Sequence, residues 1–283
     1  MTRIVSERQL GANDFKSYYQ HLCLLNSLVP LQIIERFLDI DFLNIDGDYV
    51  KKLRSVEWGP ILDSIKINKS LKCIRITSVA TVTKILCSAL RCASNITTLN
   101  LAKCDIRGDG ILPLCELVKG IIRHNEAWKQ SLRYCHPELD HLRGIGRICL
   151  IDNPELGDSA AILLAEIMID DIWVKAIDLQ NCGLSDISAK AWISVLIGFD
   201  INDLENFDAR YENKETLKKT GGNKTLVVLD LHRKLLRDVT ESVLLNGKGR
   251  QTDCDLGKTT DSRYMKAMTS IIFVTAKLTA NLV

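Results

Sequence analysis

The chain has 283 residues, 46% of them hydrophobic and 25% charged, with a formal net charge of +2. That length buries a sizeable core, and the balanced charge offers no bulk attraction to nucleic acid or an anionic membrane. The opening Met1-Thr-Arg-Ile-Val-Ser-Glu-Arg has no apolar stretch of the secretory kind, and no uninterrupted apolar run approaches the roughly 20 residues that span a bilayer.

The chain begins with a helical pattern. From Asp14 to Leu28, apolar residues recur at steps of three and four: Phe15, Tyr18 or Tyr19, Leu22, Leu25 and Leu28. Pro30 opens a second helix over Leu31 to Leu38, in the first-turn place proline favours. A third covers Trp58 to Ile65. Residues 1–65 read as an N-terminal helical cap.

A different period follows. Five runs share one spacing, apolar-x-x-apolar-x-apolar: Leu71-Ile74-Ile76, Ile96-Leu99-Leu101, Ile145-Ile148-Leu150, Val174-Ile177-Leu179 and Leu226-Leu229-Leu231. Cys104 and Ile106 extend the second run, Asn153 and Leu156 the third, and Cys182 and Leu184 the fourth. This is the leucine-rich-repeat pattern, with one short strand per repeat. Turn residues and a helix follow each of three runs: Ile111 to Ile122, Ser159 to Ile169 and Ile187 to Ile197. Asp109, Asp158, Ser185 and Asp186 stand where side chains cap free helix N–H groups. Strand, turn, full helix and return over roughly 28–29 residues indicate an α/β fold. The expected architecture is a leucine-rich-repeat solenoid of the ribonuclease-inhibitor type over 66–245, parallel strands on its concave face and helices on its convex face. Inserts lengthen it at 124–143, with Trp128, Tyr134 and Pro137, and at 200–222, rich in Asp, Asn, Glu and Lys. Residues 246–283 carry Gly, Lys, Asp and Thr without the pattern and read as a poorly ordered tail.

Chemistry is sparse. No phosphate-loop, dinucleotide or H-E-x-x-H signature occurs, and none of the ten cysteines sits in a C-x-x-C pair. Cys104 and Cys182 occupy the small buried slot of the repeat. Gly144-Ile-Gly146-Arg147 leads into a strand and reads as repeat backbone. Asp39-Asp41 and Asp170-Asp171 read as solvated carboxylates, and the sequons at Asn68, Asn95 and Asn223 as chance matches. Neither an enzyme, a cofactor nor a metal is indicated.

Side chains alternate across a strand. With the framework residues inward, the outer face carries Cys73, Arg75 and Thr77; Thr98, Asn100 and Ala102; Arg147, Cys149 and Ile151; Ala176, Asp178 and Gln180; and Val228, Asp230 and His232. Its charge drifts from basic to acidic along the chain, a surface suited to a complementary protein partner. The expected contacts are Arg75, Asn100, Arg147, Asp178, Gln180 and Asp230. Trp128, Arg133 and Tyr134 of the first insert join them, being of the types that dominate interfaces.

Four stretches depart from generic repeat consensus: Asp14-Phe-Lys-Ser-Tyr-Tyr-Gln-His-Leu-Cys with Ser27-Leu-Val-Pro-Leu; Val56-Glu-Trp-Gly-Pro-Ile-Leu with Lys66-Ile-Asn-Lys-Ser-Leu; Glu126-Ala-Trp-Lys-Gln-Ser-Leu-Arg-Tyr with Pro137-Glu-Leu-Asp; and Asp171-Ile-Trp-Val-Lys-Ala-Ile-Asp-Leu-Gln-Asn-Cys-Gly-Leu. With them the chain resembles the centrosomal protein of 78 kDa family from about Asp14 to Leu245. The resemblance implies a non-enzymatic protein of the cytoplasm and cytoskeleton, at the centrosome, the centriole and the cilium base. It implies a role in cilium assembly and in centriole-linked ubiquitin regulation. The implied partners are centrosomal proteins, a polo-family kinase and a ubiquitin-ligase complex, with no nucleic acid or membrane. The family carries more repeats before the Glu126-Ala-Trp motif and a coiled coil without counterpart here, and the 200–222 insert is foreign to it. A GTPase activator on the same solenoid is the other reading, although such activators typically carry an acidic tail, which this chain lacks.

Overall fold

A computed structural model describes residues 11–32, 34, 41–50, 56–80, 82–131, 144–197, 226 and 228–230. Its centre is a parallel six-stranded sheet in strictly sequential order. The strands are β1 (Phe42–Asp46), β2 (Cys73–Thr77), β3 (Thr98–Asn100), β4 (Arg147–Cys149), β5 (Ala176–Asp178) and β6 (Val228–Asp230). The longer helices are α1 (Phe15–Leu25), α2 (Trp58–Ile67), α3 (Val82–Leu90), α4 (Leu112–Ser131), α5 (Gly157–Met168) and α6 (Asp186–Ile197), and short helical turns cover Gly47–Val50 and Gly108–Ile111. The arrangement is mixed α/β and compatible with an α/β solenoid.

Register follows the apolar runs. Cys73, Thr98, Arg147, Ala176 and Val228 are cross-strand partners in one line, and Ile74, Leu99, Ile148, Ile177 and Leu229 form the next. This second line is buried, with Ile74, Leu99, Ile148 and Ile177 fully inaccessible. One continuous core joins it to Leu86, Leu114, Leu164 and Trp192 from the helices, so the helices cover one face of the sheet and leave the other open. Sequential neighbours such as α2 and α3, α3 and α4, and α5 and α6 pack on one another.

The sheet starts earlier than the cap reading of 1–65 expects. Phe42–Asp46 is a strand in register with β2, Leu43 opposite Ile74 and Ile45 opposite Ile76. Both are fully buried. The cap is nonetheless helical at its start. Asp14 accepts hydrogen bonds from the Ser17 N–H (3.0 Å) and hydroxyl (2.5 Å), which hold its carboxyl below the usual range, and so caps α1. The Tyr19 hydroxyl accepts from the Leu31 N–H at 3.0 Å. The helix expected over Leu31 to Leu38 lies mostly outside the described residues, as do the 200–222 insert and the 246–283 tail.

Helix α4 runs well past the Ile111–Ile122 reading, to Ser131. Glu126, Ala127, Lys129 and Gln130 favour helix, and no proline intervenes before Pro137. About half of the first insert is therefore a helical extension.

After β2, β3, β4 and β5 the chain turns the same way. Ser78, Lys103, Asp152 and Asn181 stand five residues beyond the start of β2, β3, β4 and β5, and all four have left-handed backbone, φ between 53 and 58°. One residue later comes the slot of Cys104, Asn153 and Cys182, all buried. Each donates to a backbone carbonyl of the preceding unit: the Cys104 thiol to Ile76 (3.2 Å), the Asn153 amide to Leu101 (3.0 Å) and the Cys182 thiol to Leu150 (3.1 Å). Asn153 also donates to Leu150 at 2.7 Å and accepts from the N–H groups of Cys104 (3.0 Å) and Ile106 (3.1 Å). These bonds satisfy backbone groups that leave the sheet where the chain turns, in a region closed to water.

Other polar residues act between units rather than within them. Asp158 does not cap its own helix α5, which has no side-chain cap. It accepts instead from the N–H (2.7 Å) and hydroxyl (2.5 Å) of Ser185 in the next unit. Burial raises its pKa, and the bonds from Ser185 and Ser188 together outweigh that, holding it below the usual value. Asp171, read as solvated, is buried. Its carboxylate accepts from the N–H groups of Trp173 (2.8 Å) and Val174 (2.6 Å), leading the chain into β5. Desolvation keeps its pKa above the usual value despite those two bonds. Asn68 plays the same part ahead of β2, accepting from Ser70 and Leu71. Its amide donates to the Gly11 carbonyl at 3.1 Å, and the Asn95 amide donates to the Leu71 carbonyl. Two of the three sequon asparagines are thus structural.

Candidate functional site: the open face of the sheet

The residues that alternate with the buried framework form the open face. In β2 the outward residues are Cys73, Arg75 and Thr77, the first and last half-buried and Arg75 exposed. β1 adds Phe42, Asn44 and Asp46, which the strand runs did not include. Register lines these residues up across the sheet. One row reads Phe42, Cys73, Thr98, Arg147, Ala176, Val228, and the next Asn44, Arg75, Asn100, Cys149, Asp178, Asp230.

Arg75 and Arg147, two strands apart, are both exposed. Asn100 lies between them in the sheet and uses its Oδ1 to accept from the Ala102 N–H at 3.0 Å. Asp178 does the same for the Gln180 N–H at 3.3 Å, and Gln180 is exposed. Towards the turns the face becomes mixed. The Lys103 ammonium lies 4.0 Å from Asp152, whose carboxylate also accepts from the Asn181 amide at 2.9 Å.

Two thiols lie among these groups. Burial pushes the Cys73 thiol up, Asp41 adds to the shift, and Arg75 and Arg147 oppose it. Cys149 is buried although its strand position points to the open face. Burial likewise raises it, against the Ile151 N–H, Arg147 and Arg75. Both stay protonated at neutral pH, so neither is an activated nucleophile. The core thiols are further displaced, with burial pushing Cys87 up to about 12 and Cys182 to about 11.

The structure therefore brings Arg75, Asn100, Arg147, Asp178 and Gln180 onto one face, with the Asp230 backbone opposite Asp178. It does not bring Trp128 there. That residue is half-buried near the end of α4, in the helix layer. Arg133 and Tyr134 lie outside the described residues. Helices α3 and α4 enclose a cavity of about 190 Å³ lined in part by Leu90, Ile96, Leu117 and His124. Among the described residues no cluster of His, Cys, Asp and Glu has the makings of a metal site. No helix there is long and apolar enough to cross a membrane.

Gly144 and Gly146 serve the backbone. A side chain at Gly144 would strike the Trp173 indole, which lies on it within 1.6–2.2 Å of where a Cβ would be. The Gly146 N–H donates to Thr97 at 2.7 Å, and its carbonyl accepts from Lys175 and Ala176. The glycines are ladder and packing positions, and no phosphate cradle is formed.

Fold and face together define a class: a stacked strand–helix protein with a continuous parallel sheet and a polar open surface, whose outward charges run Asp46, Arg75, Arg147 and Asp178, so that the added first strand makes both ends acidic rather than only the last. No family model matches the chain. It is 28% identical to the human centrosomal protein of 78 kDa, over 88% of this chain and 46% of that protein. To the mouse protein of the same name it is 26% identical, over 88% of this chain and 40% of that protein. To the Drosophila melanogaster Cep78 homolog it is 30% identical, over 40% of this chain and 14% of that protein. The resemblance read from the motifs is thus borne out by curated relatives that all carry this name. The shared name supports a location at the centrosome, a cytoskeletal structure of the cytoplasm. The chain spans less than half the length of these relatives. The human alignment runs over 342 residues, more than the 283 of this chain, so that relative carries segments with no counterpart here.

Proposed function

We propose that the chain is a non-enzymatic leucine-rich-repeat interaction module of the ribonuclease-inhibitor type, acting at the centrosome by holding a protein partner on its open sheet face. The sequential parallel sheet and the Asn/Cys slot at one register position in three units support the repeat type. The observation that carries the binding role is the row Asn44, Arg75, Asn100, Cys149, Asp178, polar groups lined up on rigid strands. Such a surface binds by charge complementarity. Partners and processes come to this proposal through the resemblance: a polo-family kinase, a ubiquitin-ligase complex, cilium assembly.

The test is localisation. The tagged chain is expressed in ciliated cells and scored against a centriole marker, beside a variant with Arg75, Asn100 and Arg147 changed to Ala. The wild type concentrates at centrioles, and the variant folds but does not. A wild-type chain spread evenly through the cell refutes the reading.

A further inference from the structure

The open face is not uniformly polar, and its hydrogen-bonding chemistry is lopsided. Between β2 and β4 it offers donors. Strands lie about 4.8 Å apart and rise about 3.3 Å per residue. Arg75 and Arg147 are two strands and two residues apart, so their Cα atoms are about 12 Å from each other on a diagonal. Thr98 and Asn100 of β3 lie between them. Both guanidinium groups act on the Cys73 and Cys149 thiols, and their long stems are able to reach over β3.

Neither arginine has a carboxylate within salt-bridge distance among the described residues. Elsewhere some exposed cations are paired, Arg107 with Asp105 at 3.2 Å, Lys66 with Asp63 at 2.8 Å and Lys129 with Glu126 at 3.8 Å; Arg75 and Arg147 differ from the remaining unpaired ones in standing on the sheet's open face. Asn100 spends its oxygen on the Ala102 N–H and presents its NH₂ donors to the face. The thiols of Cys73 and Cys149 are protonated, so they add no competing anion. The acid of the same row, Asp178, stands one strand beyond Cys149 and marks the edge of the basic ground.

We propose that Arg75 and Arg147, with Thr98 and Asn100 between them, form a receptor for an acidic segment of a protein partner, whose carboxylates bridge the two guanidinium groups. This rests on the interaction-module reading and sharpens it to a partner chemistry. Arginine suits the task because its planar fork takes a carboxylate in two parallel hydrogen bonds. The strands fix the spacing of the two Cα atoms, which lowers the cost of ordering the forks on binding. Asp178 would repel the same segment and so sets the limit of the patch.

The purified full chain is titrated by fluorescence anisotropy with a fluorescein-labelled decapeptide of alternating Glu and Gly, and with its Gln-for-Glu counterpart. The Glu peptide binds, and binds more weakly at 200 mM than at 50 mM NaCl. The double variant R75E/R147E, confirmed folded by an unchanged melting temperature, weakens it at least tenfold, whereas D178N leaves it equal or tighter by two- to threefold. Equal affinity for the two peptides, or an unmoved affinity in R75E/R147E, overturns the receptor. The centriole-recruitment assay separates this failure from that of the module. Recruitment that is lost in the open-face alanine variant while the Glu peptide does not bind sinks the acidic receptor alone. A wild type that never reaches centrioles sinks the module itself.

Discussion

Asn153 is the position where one substitution should be felt most. It is fully buried and sits in the joint between the third and fourth strands. Changing it to Ala removes two donors and one acceptor. The carbonyls of Leu101 and Leu150 and the N–H groups of Cys104 and Ile106 then lose their partner. Each stranded buried group costs about 1–3 kcal/mol. Four of them set a ceiling that relaxation and an admitted water reduce, and a net loss of about 3–5 kcal/mol is expected. Set against a typical stability of about 5–15 kcal/mol, that is a large share. At about 2–4 °C per kcal/mol for a domain of this size, the melting temperature should fall by about 6–20 °C. Thermal and urea denaturation followed by circular dichroism give the answer. Asn153→Cys is the informative companion. In the neighbouring units a thiol in this slot donates to one carbonyl of the preceding unit, so Cys should recover part of the loss. A melting temperature within 2 °C of wild type for the Ala variant, or equal losses for Ala and Cys, would refute the account of this joint.

Three further outcomes are expected. Asp171→Asn keeps the acceptor for Trp173 and Val174 and removes a buried charge, as Asn68 already does ahead of β2. Because the folded-state pKa of Asp171 is raised, its ionised form costs stability above its ordinary pKa near 3.8. The Asn variant should therefore be as stable as wild type or more so at pH 7, and the gain should vanish as pH falls below that value; urea titrations at pH 3 and 7 measure it. Gly144→Ala should destabilise by about 1–3 kcal/mol through overpacking against the Trp173 indole, and in the G144A/W173A double variant the Ala should add little, since the two sites share one contact. Leu179→Ala, at a fully buried position, should cost about 2–5 kcal/mol, and an unchanged melting temperature would count against the repeat register.

The repeat was legible because its residues serve two periods at once. The apolar-x-x-apolar-x-apolar spacing marks both the strand and the residue that leads into it, and every framework residue of the first four runs is buried. The Cys104, Asn153 and Cys182 slot was legible because a turn that strands backbone groups needs a small side chain able to donate. The first strand went unread although Ile40, Leu43 and Ile45 have the same spacing. Asp39 and Asp41 stand on either side of Ile40, just ahead of the strand, and suggest a carboxylate pair instead. What spacing could not convey was partnership across units. Asp158 looks like the cap of its own helix, because a sequence shows near neighbours, and it serves Ser185 in the next unit instead. Asp171 looks solvated beside Asp170, because burial of one of two adjacent acids depends on which way the chain turns. On the open face, strand alternation chose the side correctly but could not tell that Cys149 is covered while Arg75 and Arg147 are not.

The register also bears on how a chain of this build tolerates change in length. The first residues of the six strands, Phe42, Cys73, Thr98, Arg147, Ala176 and Val228, pair in one row although the steps between them along the chain are 31, 25, 49, 29 and 52 residues. The sheet accommodates those lengths because each unit meets only its neighbours, and every strand brings a buried residue to the same line: Leu43, Ile74, Leu99, Ile148, Ile177 and Leu229. Extra residues enter where the chain is away from the sheet, as α4 shows by running on to Ser131. Adding or removing a unit changes how many strands contribute outward side chains to the open face. In such an arrangement the number of units sets the length of the open face, while the core beneath each strand keeps the same place.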